Sequence, residues 1–138
     1  MPPQEYTGPE AELTSSLIGM AMKVHSYHGP GLDERTYENS MCIDMAEAGL
    51  EFTQQEQFNV TYKGHQVSKL LADLIVNRAV ILENKVVSAI TDVHVSQLLS
   101  YLAVTRLQVG LILNFAKPSL EIRRIVRSPL GSQSEESP

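Results

Sequence analysis

The stretch "LADLIVNRAVILENK", residues 71–85, carries the densest chemistry in the chain. It reads as two strands joined at the turn-forming "NRA". Residues two apart in an extended strand share a face, so Glu83 and Lys85 stand on one side. The side taken by Asp73 depends on the turn. A two-residue loop at Asn77 and Arg78 would set Asp73 against Leu82, whereas a three-residue loop over 77–79 sets Val76 against Val80 and Asp73 against Glu83. In the second register two carboxylates and an ammonium converge. Burying two neighbouring carboxylates is costly unless a cation compensates them. Mg²⁺ (or Mn²⁺) suits that role, because a hard ion takes one or two carboxylates and leaves its other positions to water and phosphate. Lys85 could then stabilise developing charge or position a water. The alternative is an acid–lysine cross-strand pair on a solvated face. The apolar surroundings in "LLADLIV" and "AVILENKVV" favour covered, central strands and hence a site.

The flanking pattern supplies the elements that must hold these groups. Pro9 suits the first position of a helix that continues through Leu13, Leu17, Met20, Ala21 and Val24 and stops at "HGPG". Asp33 is an expected N-cap for a second helix, with Leu32 and Tyr37 at the positions of a hydrophobic staple and Gly49 as its end. The strands "FTQQEQFNVTY", "VSKLLADLIV" and "VILENKVV" follow. A third helix begins near Asp92, and "VGLILNF" and "LEIRRIV" close the domain. The order is α-α-β-β-β-α-β-β, an α/β fold with a mixed β-sheet flanked by helices. On the third helix His94, Gln97 and Tyr101 lie beside the apolar stripe, as a site edge or a boundary contact. Residues 1–8 read as a flexible N-terminal tail, 9–127 as the domain, and the Ser-, Pro- and Glu-rich residues 128–138 as a disordered C-terminal tail.

With 138 residues, 43% of them hydrophobic, the chain can bury a core. No apolar run approaches the ~20 residues of a membrane span. The N-terminus has no signal-peptide pattern, and the single cysteine fits a reducing, cytoplasmic setting. The net charge of -5 argues against a large nucleic-acid footprint, but it is uneven: residues 1–62 carry -8 and residues 63–138 carry +3. The spacing of the four histidines does not suggest zinc. His25 and His28 could approach a phosphate, though the end of a helix dipole explains them better. Cys42 reads as a packed thiol. Asn114 is placed to bond neighbouring backbone, and Arg123, Arg124 and Arg127 could meet phosphate or solvent.

Gly31-x-x-Glu34-x-x-Tyr37 resembles the signature of the GxxExxY proteins, within the PD-(D/E)XK nuclease superfamily. The likeness continues through "YKG" at 62–64, Asp73, Glu83-x-Lys85, "QLLSYL" at 97–102, "GLILNF" at 110–115 and "RRIV" at 123–126, over about residues 10–127. It implies a restriction-endonuclease-like core and Mg²⁺-dependent hydrolysis of phosphodiester bonds in DNA or RNA. Asp73, Glu83 and Lys85 would be the catalytic residues, with Glu34, Asp73 and Glu83 holding the metal. Gln97 and Tyr101 resemble the Q-x-x-x-Y motif of the recombination-exonuclease branch and would bind substrate. Two positions depart from the pattern: Ala72 replaces the Pro of the superfamily name, and Asn84 replaces an apolar residue. A buried amide at 84 would need partners or cost roughly 1–3 kcal/mol. The rival expectation is a non-catalytic binding or self-assembling module, a homo-oligomer with a vestigial site. The acidic charge, the small size and Asn84 motivate it.

Overall fold

The computed structural model describes residues 6–128 and 133–136. Helices α1 (Ala11–His28) and α2 (Glu34–Glu47) come first. Strands β1 (Phe52–Tyr62), β2 (His65–Val76) and β3 (Val80–Lys85) follow. Helix α3 (Asp92–Thr105) then precedes β4 (Val109–Asn114), β5 (Glu121–Arg127) and β6 (Gln133–Glu136). The six strands form one sheet in sequence order. Only β3 and β4 run parallel, joined through α3, and every other neighbouring pair is antiparallel. The expected order holds through β5, and β6 extends it.

Two apolar layers cover the sheet. Leu17, Ile18 and Ala21 of α1 and Tyr37, Met41 and Met45 of α2 pack with Leu74, Val76, Val80, Leu82, Leu111 and Leu113. On the other face Leu98 and Leu102 of α3 pack with Ala72, Ile75, Ile81, Ile112 and Ile125. Alternation of side chains along β3 and β4 separates the two sets. The close seating of α3 depends on Gly110, where an added Cβ would lie 2.8 Å from Leu98 Cδ2.

The entry to α2 shows what the Gly-Glu-Tyr spacing does. Gly31 takes φ 110, a conformation that L side chains rarely adopt. Asp33 caps the helix, accepting from the Thr36 N–H at 2.9 Å. Tyr37 is not the staple that its spacing suggests, for Leu32 is exposed. Its ring is fully buried and stacks on Phe115 with centroids 4.4 Å apart. Its hydroxyl donates to the Gly29 carbonyl at 2.6 Å and accepts from the Leu32 N–H at 3.2 Å. The core thus reaches out and ties down the turn, which fixes where Glu34 begins its helix.

Several sequence expectations change. Helix α1 starts at Ala11 rather than Pro9, after Glu10 at a left-handed φ of 54. Tyr6, within the expected N-terminal tail, lies under the Arg124 guanidinium at 5.1 Å from its ring centroid. Arg124 is buried and donates to Thr14 Oγ1 at 3.2 Å and to the Pro9 carbonyl, so it anchors the N-terminal segment rather than meeting phosphate. The expected C-terminal tail, 128–138, includes strand β6. Residues 1–5, 129–132 and 137–138 of the two expected tails lie outside the described residues.

The packing of α3 is open to a direct check. Gly110→Ala should force Leu98 and with it α3 off β4, lowering stability by about 1–3 kcal/mol in urea denaturation. An unchanged midpoint would contradict this seating.

Candidate active site

The turn between β2 and β3 decides the register. Val76 pairs with Val80 and Leu74 with Leu82, which sets Asp73 opposite Glu83 as the three-residue loop requires. That turn carries two left-handed residues, Asn77 at φ 52 and Arg78 at φ 51. Both are fastened to the chain at and before β1. Asn77 exchanges hydrogen bonds with the Glu51 backbone, at 2.8 Å from its own N–H and 3.0 Å to its Oδ1. Arg78 donates to both oxygens of Glu56, at 2.5 and 3.2 Å. Glu56 in turn titrates below its usual range, chiefly through the hydrogen bond from Arg78.

Beyond Leu74 and Leu82 the Asp73 carboxylate takes over from the backbone ladder. Its Oδ2 accepts from the Asn84 N–H at 3.3 Å, and its Oδ1 accepts from Gln55 Nε2 at 3.2 Å. Glu83 is only 7% exposed, and its Oε1 is buried without a hydrogen-bond partner. Burial, and after it the charge of Asp73, pushes the Glu83 carboxyl up to about 9, while Lys85 pulls the other way. Lys85 itself makes no ion pair within 4.0 Å, the pairs among the described residues being Arg78–Glu56 and Lys117–Glu121. A buried, unpartnered carboxyl oxygen beside Asp73 belongs to a group that stays neutral without a cation and would ionise with one bound beside it. That donor set fits a hard divalent ion. The Lys85 carbonyl accepts from the Phe115 N–H, so alternation turns the Asn84 carbonyl the other way, towards Asp73.

The other expected site residues gather at different ranges. Glu34, exposed in the first turn of α2, is raised by burial in spite of Lys85, with Asp73 and Glu38 adding to the rise. It is therefore within the field of Lys85 and Asp73. Tyr101 is raised by burial and then by the charges of Glu83 and Asp73, and it shares a hydrogen bond with Gln97. Tyr101 of the motif Gln97-x-x-x-Tyr101 thus lies within the field of the acids. Among the described residues no three His, Cys, Asp or Glu side chains form a group that could by itself hold a metal. Glu34, Asp73 and Glu83 share an electrostatic neighbourhood rather than a ready cage.

Some polar residues serve the frame instead. His25 Nε2 bonds the Lys117 carbonyl at 2.8 Å, His28 Nε2 bonds Ser40 Oγ at 2.8 Å, and His94 Nδ1 accepts from the Thr91 N–H at 2.9 Å. Asn114 accepts from the Val87 N–H at 3.1 Å and donates to the Val87 carbonyl at 2.9 Å, pinning the chain just after Lys85. Asn84 is fully buried with neither amide atom partnered, the cost its neighbours predicted. The cavity of about 680 Å³ beside Met22, His25 and Leu120 holds none of the expected site residues. Two residues that the sequence did not single out belong to the site. Glu38 is buried at 3% exposure, and Gln55 bonds both it and Asp73.

A scan against family models matches residues 11–125 to the PD-(D/E)XK nuclease superfamily. The match spans most of the chain, and the protein belongs to that superfamily. Its mixed sheet and helix order are those of the restriction-endonuclease-like fold. No curated protein and no solved structure matches the chain. No helix among the described residues is long and apolar enough to cross a membrane.

The buried pair makes the fold sensitive to pH. In the metal-free folded protein Glu83 keeps its proton to about pH 9, against 4.5 as its ordinary value. The folded state therefore binds the extra proton, and the stability this contributes is full below about 4.5 and lost as pH rises towards 9. Glu83→Gln, unfolded by urea with chelator present, should exceed wild type in stability at pH 8 and match it near pH 4. Equal stabilities at both values would contradict the buried, repelled carboxyl.

Proposed function

We propose that the protein is a Mg²⁺- or Mn²⁺-dependent nuclease of the GxxExxY type that hydrolyses phosphodiester bonds in DNA or RNA. The observation that carries this reading is Glu83 Oε1, buried and unpartnered beside Asp73 with the unpaired Lys85 on the same strand. Asp73, Glu83 and Glu34 would hold the metal together with the Asn84 carbonyl. Bound there, the ion would supply Lewis-acid polarisation of the phosphate and a water of lowered pKa. Lys85 would orient that water and stabilise the negative charge gathering on the phosphate oxygens. The attacking water would form a P–O bond as one ester P–O bond breaks, the proton it sheds passing to solvent while the departing oxygen takes one up and leaves as a hydroxyl. Gln97 and Tyr101, on the helix facing the acids, would steer the strand. The reducing cytoplasm is the setting we infer, from the single free Cys42.

One observation favours the rival, a non-catalytic binding or homo-oligomeric module: among the described residues three acids do not converge into a metal-holding group. Single- and double-stranded DNA and RNA incubated with Mg²⁺ or Mn²⁺ test between the two. Cleavage of at least one substrate is expected, abolished by EDTA and reduced on the order of 10²-fold or more by Lys85→Ala. Intact substrates in every combination, or cleavage that Lys85→Ala leaves unchanged, would overturn the nuclease reading.

A further inference from the structure

Gln55 stands where Asp73 would have its partner on β1. Gln54 pairs with Leu74 and Glu56 with Ala72, so the register runs unshifted through this point, yet Gln55 and Asp73 themselves do not pair. The reason is the backbone. Gln55 takes φ 55, left-handed in the middle of a strand, without being glycine. The strand pair also changes face here. Phe52 packs with the α1/α2 layer and Phe58 with the α3 layer, although an unbroken strand would put residues six apart on one side. On β2 the same change falls between Ala72 and Leu74, at Asp73. A conformation this uncommon marks a place where the local structure is over-determined by its surroundings.

What the left-handed turn gains is the direction of one amide. Gln55 Nε2 lies 3.2 Å from Asp73 Oδ1 and 3.1 Å from Glu38 Oε1, so both its protons are spent on carboxylates. Glu38 is buried and is held in its turn by Gln54 Nε2 at 2.7 Å. Two acceptors of like kind leave the amide only one useful orientation, nitrogen inward. Asp73 then has one oxygen set by Gln55 and the other by the Asn84 N–H, both neutral donors.

We infer that Gln55, oriented by Glu38, is a positioning residue that presets the Asp73 carboxylate for a divalent cation. The inference rests on the metal-dependent reading above. It deepens that reading by giving a role to a buried acid and a strained glutamine that the metal-binding set does not use. Partners that orient a ligating carboxylate in this way commonly change metal affinity 10–100-fold when lost. A purely structural Gln55 predicts the opposite pattern, a loss of stability with its hydrogen bonds to Glu38 and Asp73 and an unchanged Mn²⁺ affinity.

The test is Mn²⁺ affinity by electron paramagnetic resonance together with urea stability, for wild type, Gln55→Gly, Glu38→Ala and the double variant. Gln55→Gly is expected to hold or raise stability while weakening Mn²⁺ affinity by about 10–100-fold. Glu38→Ala is expected to weaken affinity alone, and to add nothing in the Gln55→Gly background. Unchanged affinity in Gln55→Gly, or independent losses from the two positions, would overturn the inference while leaving the metal site standing. A wild type that binds no Mn²⁺, even with an oligonucleotide present, would overturn the metal-dependent reading and this inference with it.

Discussion

Asp73 and Glu83 repel each other, and the fold nonetheless keeps them opposite one another on adjacent strands. Much of the structure can be understood as what that arrangement demands. The Asn77–Ala79 turn must supply three residues and not two, and it adopts two left-handed conformations to do so, fastened by Glu51 and Glu56. Lys85 must sit one step further along the same face. Asp73, denied a regular ladder partner, is held by the Asn84 N–H and the Gln55 amide. Even so one oxygen of the buried Glu83 carboxyl has no partner, and the group keeps its proton rather than stand charged beside Asp73, a balance that a cation would shift.

The elements around the pair are placed by ordinary packing. Helix α3 approaches the sheet closely because Gly110 leaves room for Leu98, and the approach brings Tyr101 into the field of the acids. Helix α2 begins where Tyr37 ties the Gly29–Leu32 turn to the core, which sets Glu34 near Lys85 and Asp73. The -8 charge of residues 1–62 includes Glu34 and Glu38, whereas Lys85 and most other basic residues lie in the second half. The fold brings members of both halves to one place.

Asp73, Glu83 and Lys85 are legible in the sequence because strand alternation and loop length limit the register to a few choices, and buried acids on apolar strands stand out among them. Helix and strand order through β5 is legible for the same reason, as hydrophobic period and turn residues agree. Tyr37 is harder, because the spacing that marks a staple also fits a residue whose ring packs inward and whose hydroxyl reaches the turn. Gln55 and Glu38 are hidden. "TQQEQ" reads as any polar strand, and a left-handed glutamine, unlike a glycine or asparagine, leaves no mark in the sequence. Arg124 is hidden too, since only tertiary contact with Tyr6, Pro9 and Thr14 makes a charged strand residue an interior one. Strand β6 lacks the apolar alternation that reveals a strand, and its signal is pairing with β5 alone.

Calorimetric titration of Mg²⁺ into wild type and into Asp73→Ala, each with and without an oligonucleotide, tests the central claim most directly. A saturable site in the wild type that disappears in Asp73→Ala is the predicted result. Heat that Asp73→Ala leaves unaltered, or no binding by the wild type even with nucleic acid present, would contradict the view that the opposed carboxylates are built to hold a cation.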